Sequence, residues 1–271
     1  MPLGKSPYCN LEKSGRMKTL SIIGAGNVAT HLASALGKTS SILQIFSRDL
    51  PNAEKLCRQI GQGDAINSVH MLLPADAYIV AIKDDAIMPF LATVPNKCKN
   101  RLWVHTSGSI GRSVFNNFNS KNGVFYPLQT FSKNVPVDVA KVPFFIEGSS
   151  NEITEEIMQM ALSISSHVYE ADSELRMKMH VAAVFSCNFT NYMQIVAADI
   201  LKRNNLPFSV LQPLIAESIQ KIMQVAPIEA QTGPAARGDR NVIAKHLSLL
   251  SDTEKKIYET ISDAILKRFK K

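Results

Sequence analysis

The chain has little of what marks several common protein classes. Among 271 residues there are four cysteines, Cys9, Cys57, Cys98 and Cys187. No two stand as Cys-x-x-Cys and none has a histidine at metal-ligand spacing, so they read as reduced cytosolic thiols and no metal site is expected. Nowhere does an apolar run approach the 18 or so residues of a membrane span, and the opening MPLGKSPYCNLEKSGR has no hydrophobic block of the kind a signal peptide needs. These absences point to a cytoplasmic protein with no membrane partner. Residues 1–16, ahead of Met17, read as a disordered extension or an upstream start without a structural role. Acidic residues are outnumbered, giving a formal charge of +7, but the excess is uneven. Lys5, Glu12, Lys13 and Arg16 supply a net +2 and Lys267, Arg268, Lys270 and Lys271 another +4, leaving about +1 for the body. A nucleic-acid partner is therefore not expected. Repeats and low-complexity segments are absent.

An apolar content of 45% with 7% aromatics is that of a globular chain, and the length allows one large or two ordinary domains. Residues 19–36, TLSIIGAGNVATHLASAL, form the most informative stretch. A short apolar strand runs into Gly24, Ala25, Gly26, Asn27, Val28 and Ala29, then into an apolar-periodic helix, the pattern of a dinucleotide-binding βα turn. Gly24 allows the tight turn, Gly26 leaves room for a pyrophosphate, and Ala29 lets helix and strand pack closely. Free backbone N–H groups and the positive end of the helix dipole face the phosphates. The alternative is an ordinary glycine-rich turn.

A second apolar run at 42–46 ends in Ser47-Arg48, and residues 52–60, begun by Pro51, follow as a helix. Further strand-like runs lie at 77–82, 102–105, 124–126 and 144–147, with a helical stretch at 152–165 and a last strand at 167–169. Beyond Asp172 strand signal fades, and helical periodicity covers 177–201, 210–225, 242–250 and 254–269. The expected fold is α/β, with an N-terminal doubly wound parallel Rossmann sheet over 17–170 followed by an all-α substrate and dimerisation domain over 171–271.

In such a fold an acidic residue about 20 positions past the glycines holds the ribose of NAD, whereas an arginine there favours the 2′-phosphate of NADP. Ser47 and Arg48 occupy that place, so NADP(H) is the expected cofactor; alternatively Arg48 is a solvated residue and Asp49 caps the next helix. Ala81, at the end of one strand, and Thr106, after another, fall at the sheet edge where the cofactor should lie. The segment His105-Thr106-Ser107-Gly108-Ser109 follows a buried strand, offering Ser107 to catalysis and Gly108 to substrate, or else a helix cap built from the same residue types. Asp84 and Asp85 read as caps, and Tyr126-Pro127-Leu128-Gln129-Thr130 as a segment able to line the cleft.

At 100° per residue Arg176, His180, Cys187 and Asn191 share one helix stripe, with Asn188 on its shoulder and Lys178 pointing elsewhere. A polar stripe on an apolar helix needs partners. It either bonds internally or in a dimer interface, or it faces the cleft with His180 as the acid and Asn188 or Asn191 orienting it. Imidazole is the side chain whose ordinary titration falls near neutral pH. In the loop Thr232-Gly233-Pro234-Ala235-Ala236-Arg237-Gly238-Asp239, Arg237 is a carboxylate or phosphate clamp, or it pairs with Asp239 or caps the helix from residue 242.

In this order, GAGNVA, SRD, HTSGS, YPLQTFS, FFIEG, RMKMHVAAVFSCNF and TGPAARGD resemble the Rossmann-like proteins that carry the helical domain of unknown function 2520, over everything from Met17 on. More distantly the chain is similar to β-hydroxyacid dehydrogenases, pyrroline-5-carboxylate reductases and deazaflavin-dependent NADP oxidoreductases. The resemblance implies NADP(H) at the GAGNVA turn and an active site between the domains, completed by homodimer packing. It also implies that Ser107 and Gly108 match the loop that contacts substrate in the hydroxyacid enzymes, and that the long helix matches the one bearing their lysine. Those enzymes place an asparagine four residues after that lysine, where Lys178 is followed by Ala182, and Tyr126 stands where a histidine is expected. The activity implied is hydride transfer between nicotinamide and a C=O or C=N of a small, anionic substrate; the rival expectation is a non-catalytic NADP(H)-binding sensor or scaffold.

Overall fold

A computed structural model describes residues 17–269, so the expectation for residues 1–16 lies outside the described residues. Eight strands form one sheet in the order β3-β2-β1-β4-β5-β6-β7-β8. They are β1 (Thr19–Ile23), β2 (Ser41–Phe46), β3 (Asp64–Ile66), β4 (Ala77–Val80), β5 (Leu102–His105), β6 (Asn122–Pro127), β7 (Phe144–Gly148) and β8 (Val168–Glu170). This is a doubly wound Rossmann sheet, in which the order reverses between β1 and β4 and opens a ligand crevice at the carboxyl edge. β3 has only three residues and escaped the periodicity reading.

All neighbouring strands are parallel except β6 and β7. The chain between those two returns without a long helix, and an antiparallel pair needs no crossover. The expected all-parallel sheet is corrected at that one pairing.

Alternate residues of a strand point to opposite faces. Ala77, Ile79, Leu102 and Val104 enter one apolar cluster, packed with Ala29, Leu32 and Ala33 of α1 (Asn27–Leu36), Leu56 of α2 (Leu50–Ile60) and Ile157 of α4 (Asn151–Leu162). Tyr78, Val80 and Trp103 enter the other, with Ile87 and Leu91 of α3 (Asp84–Ala92). The sheet is thus buried on both faces, which is why its strands read as continuous apolar runs.

A third cluster joins Val124 and Tyr126 of β6 to Phe145, Ala171 and Met179. Met179 belongs to α5 (Ser173–Ala183), whose Asp172 cap accepts the Leu175 N–H at 2.8 Å. A π-helical turn, Val184–Phe189, separates α5 from α6 (Thr190–Arg203). The single helix expected over 177–201 therefore starts at Ser173 and is not α-helical throughout. An even 100° count does not carry through a π turn, so the predicted stripe from Arg176 to Asn191 is not continuous.

The chain divides into two compact units between Cys187 and Asn188. The boundary expected at 170 lies earlier, at the end of β8; α5 belongs with the sheet because Met179 packs on it. The second unit contains α6, α7 (Gln212–Gln224), α8 (Arg240–Leu247) and α9 (Asp252–Phe269). Within it Arg203 chelates both oxygens of Glu254 at 2.8 and 2.9 Å. Bonds from the Ser251 N–H, from Arg203 and from the Ser251 hydroxyl hold the Glu254 carboxyl down at about 2. Among its described residues only Ala235, Glu254 and Ser262 are buried.

Candidate functional site

The register brings Ile23, Val80 and His105, the last residues of β1, β4 and β5, side by side, so the residues that follow them share one sheet edge. Gly24 is fixed there by a bond from its N–H to Phe46 O (2.8 Å), and Ala81 N–H bonds Ile23 O (2.8 Å). At Gly24 φ is +124°, and a Cβ would stand 2.3 Å from Ala81 O. Only glycine meets both demands. A Cβ at Gly26 would touch nothing within 4 Å, and α1 begins there with no side-chain cap and no acidic residue in its first turn. Gly26 and Asn27 are exposed, with Ala25 buried and Val28 half-buried behind them. The first N–H groups of α1 are thus open toward an anion, which is the arrangement a pyrophosphate requires.

Ser47 and Arg48 follow β2 at the same edge. Arg48 is exposed and makes no ion pair among the described residues. Asp49 stands at the N-cap of α2 without a bond to its backbone and is held by the Asn52 amide instead. No acidic residue but Asp49 lies beside Arg48 in the sequence, so these residues fit a phosphate-bearing ribose.

Past β5, Thr106 N–H bonds Val80 O at 3.1 Å. Ser107 Oγ accepts the N–H of Ser109 (3.1 Å) and of Ile110 (3.0 Å) and lies 3.2 Å from Ser109 Oγ. The Ser109 hydroxyl in turn donates to Asp84, in the first turn of α3. Since the Ser109 proton goes to Asp84, Ser107 is the donor to Ser109. Ser107 is thereby satisfied inside its own loop by a side-chain turn and not by the expected helix cap, the next helical turn starting only at Arg112 behind Gly111, and Asp84 ties together the loops after β4 and β5.

His105 is fully buried, and burial, with the nearby Arg176 charge, pushes its pKa down to about 4. It is therefore neutral, its Nδ1 accepting the Ser107 N–H at 3.2 Å. The sequence reading missed this residue because a histidine ending an apolar strand carries no signature of its own.

His180, on α5, reaches this loop. Its Nδ1 lies 3.0 Å from the Tyr126 hydroxyl, and the two rings meet edge to face at 6.0 Å. Gly108 sits against both: a Cβ there would be 2.6 Å from His180 Nδ1 and 2.8 Å from Tyr126 Cζ. Burial raises the Tyr126 phenol. One turn earlier, Arg176 is fully buried, bonded to Glu147 Oε2 (2.7 Å) and Ile110 O (2.7 Å). For Arg176 the internal-bonding alternative holds. Lys178 is exposed and pairs with Glu174 at 2.5 Å, so of the two candidates it is His180 that meets the loop after β5. Tyr126 was expected only to line a cleft, and Glu147 was passed over; neither role is visible without the fold.

In the second unit, Asn188 lies in the π turn and Asn191 in the first turn of α6, both exposed. The loop expected around Arg237 contains a single helical turn, Pro234–Arg237. Arg237 Nε pairs with Asp239 at 2.9 Å, the alternative to a ligand clamp, while its side chain stays 63% exposed.

Residues 19–111 match the family NADP oxidoreductase coenzyme F420-dependent, and residues 142–265 match the domain of unknown function DUF2520. No curated protein matches the chain. A Bacteroides fragilis protein whose structure is described as that of an NADP oxidoreductase is 42% identical, the match covering 93% of this chain and 99% of that one with a TM-score of 0.88. A Thermotoga maritima protein is 20% identical over 92% and 98% of the two chains, with a TM-score of 0.77. An imine reductase from Myxococcus stipitatus, solved with NADP+, is 15% identical over 92% of each, with a TM-score of 0.62, and shares the fold. The chain belongs to the family of NADP oxidoreductases in which a Rossmann domain precedes the DUF2520 domain.

Proposed function

We propose that this protein transfers a hydride between NADP(H) and the carbon of a C=O or C=N bond in a small, anionic substrate, with His180 handling the proton. The observation that carries the reading is the place of His180: half-buried, bonded to Tyr126 and resting on Gly108, at the sheet edge that also holds the GAGNVA turn. When bound, the nicotinamide supplies the hydride and the π pair of the substrate moves onto its oxygen or nitrogen. The chain's own part is to bind, orient and protonate. The open N–H groups of α1, with Gly24, Ala25, Gly26, Asn27 and Val28, take the pyrophosphate, and Ser47 and Arg48 the 2′-phosphate. Ala81 and Thr106 border the cofactor at the edge. His180 delivers the proton to the developing alkoxide or amine. Asn188 and Asn191 are not assigned to orient it, since the stripe that would join them to His180 breaks at the π turn. Ser107, satisfied internally, holds the loop that carries Gly108. Within the helical unit, the terminal guanidinium nitrogens of Arg237 are not used by Asp239 and suit a carboxylate or phosphate.

The protein works as a homodimer through its helical unit. Support comes from the burial there: no large apolar side chain of the described residues 188–269 is buried, and Leu214, Met223 and Leu249 are among the exposed ones. Such a unit needs another apolar surface. The thiols of Cys57, Cys98 and Cys187 are free, which suits a cytoplasmic location.

The test is NADPH oxidation against a panel of small keto acids and cyclic imines. His180→Gln is expected to cut turnover by roughly 10²–10⁴-fold while leaving NADPH affinity and melting temperature nearly unchanged. A variant that loses stability but keeps its activity per folded molecule would make His180 structural. No oxidation of NADPH with any panel compound would favour a binding protein without turnover.

A further inference from the structure

We infer that Tyr126 is a positioning residue for His180, holding the imidazole with Nδ1 inward and Nε2 as the proton-carrying atom on the open side. This rests on the reading of His180 as the proton-transferring group and adds which nitrogen acts and what fixes it. The Tyr126 side chain is almost wholly buried, and the described residues give its hydroxyl one hydrogen-bond partner, His180 Nδ1 at 3.0 Å. Burial favours the neutral phenol, so the hydroxyl keeps its proton and has one place to donate it. Donation to Nδ1 leaves the proton of the neutral ring on Nε2. In the imidazolium, where both nitrogens carry protons, the same hydroxyl rotates and accepts from Nδ1–H. The ring therefore keeps one orientation through both states, with Nε2–H presented each time. His180 Nε2 makes no hydrogen bond among the described residues and is not among the buried, unpartnered atoms, so it is open to a ligand.

The surroundings leave this bond as the ring's anchor. Arg176 on the same helix is engaged by Glu147 of β7, and Asp84 of α3 by Ser109. His105 at the end of β5 is held neutral, and Lys178 pairs with Glu174 on the exposed side. The missing side chain at residue 108 makes the pair possible, because a Cβ would stand 2.6 Å from Nδ1.

Long-range ¹H–¹⁵N spectra of histidine-labelled full-length protein, with His180→Gln to assign the resonance, test this without any substrate. Neutral His180 is expected to carry its proton on Nε2, with Nδ1 shifted as a hydrogen-bond acceptor. In Tyr126→Phe the Nδ1 resonance moves to the position of an unbonded ring nitrogen, and Gly108→Ala produces the same movement by pushing the rings apart. NADPH affinity stays unchanged in Tyr126→Phe, and turnover of a panel compound falls about tenfold or more. A proton on Nδ1 of the neutral wild-type ring, or an Nδ1 resonance indifferent to Tyr126→Phe, would overturn the assignment. Because the resonance is read in the absence of substrate, failure here is separable from failure of the hydride-transfer reading.

Discussion

Arg176 Nη1 lies 2.7 Å from Glu147 Oε2, and this pair ties α5 to β7. The guanidinium is fully buried, whereas the Glu147 side chain is 18% exposed and also approached by Arg112 Nε at 3.4 Å. The second nitrogen of Arg176 reaches Ile110 O, so one side chain fixes both the helix that carries His180 and the loop that carries Gly108.

That asymmetry sets an order of stability. Glu147→Leu leaves Arg176 buried without a carboxylate and is expected to cost about 3–5 kcal/mol, the usual result of orphaning a buried charge. Arg176→Met leaves Glu147 with Arg112 and some solvent, and should cost less, about 1–3 kcal/mol. Urea unfolding midpoints measure both, and the reverse order would show that the pair does not anchor the helix.

For the cofactor, Arg48→Ala is expected to weaken NADPH binding by about 1.5–3 kcal/mol, the value of a hydrogen bond to a charged group, or roughly 10- to 150-fold. NADH affinity should not move. Fluorescence titration of both nucleotides decides it, and equal losses for the two would remove Arg48 from the 2′-phosphate.

Stability should fall with acid before the carboxylates titrate. His105 has its pKa depressed from 6.5 to about 4 in the folded chain, so between those values the unfolded state binds a proton that the native state refuses. The contribution is complete above pH 6.5 and is lost as pH falls to about 4, amounting to about 3 kcal/mol. His105→Asn should flatten that part of the curve of unfolding free energy against pH; an unchanged slope would assign the acid sensitivity elsewhere.

Light scattering at micromolar concentration should give twice the 29.8 kDa of one chain. The double variant Leu214→Asp, Met223→Asp places charge among the exposed apolar residues of the helical unit and should shift the mass to that of one chain. A wild-type monomer would leave those residues without the proposed cover.

The sequence by itself determined the Rossmann half and its phosphate-binding end. Glycine is demanded at position 24 by a positive φ and a carbonyl 2.3 Å from where a Cβ would sit, and such backbone constraints are written directly into residue identity. The two apolar faces of the sheet likewise produce continuous apolar strands that periodicity detects. Tertiary structure alone decided which polar side chains meet. Tyr126 and His180 are 54 residues apart, and Glu147 and Arg176 are 29 apart. Helix phase could place Arg176 and His180 on one face of α5 but not say that the face turns toward β6 and β7. Nor could a count at 100° per residue foresee the π turn that breaks the stripe before Asn191. Ser107 shows the same division: a serine after a strand suits catalysis or capping equally well, and only the positions of the Ser109 and Ile110 N–H groups and of Asp84 commit its hydroxyl to the loop. Backbone requirements are local and therefore legible in sequence; the pairing of buried polar groups is set by long-range packing, which no local pattern encodes.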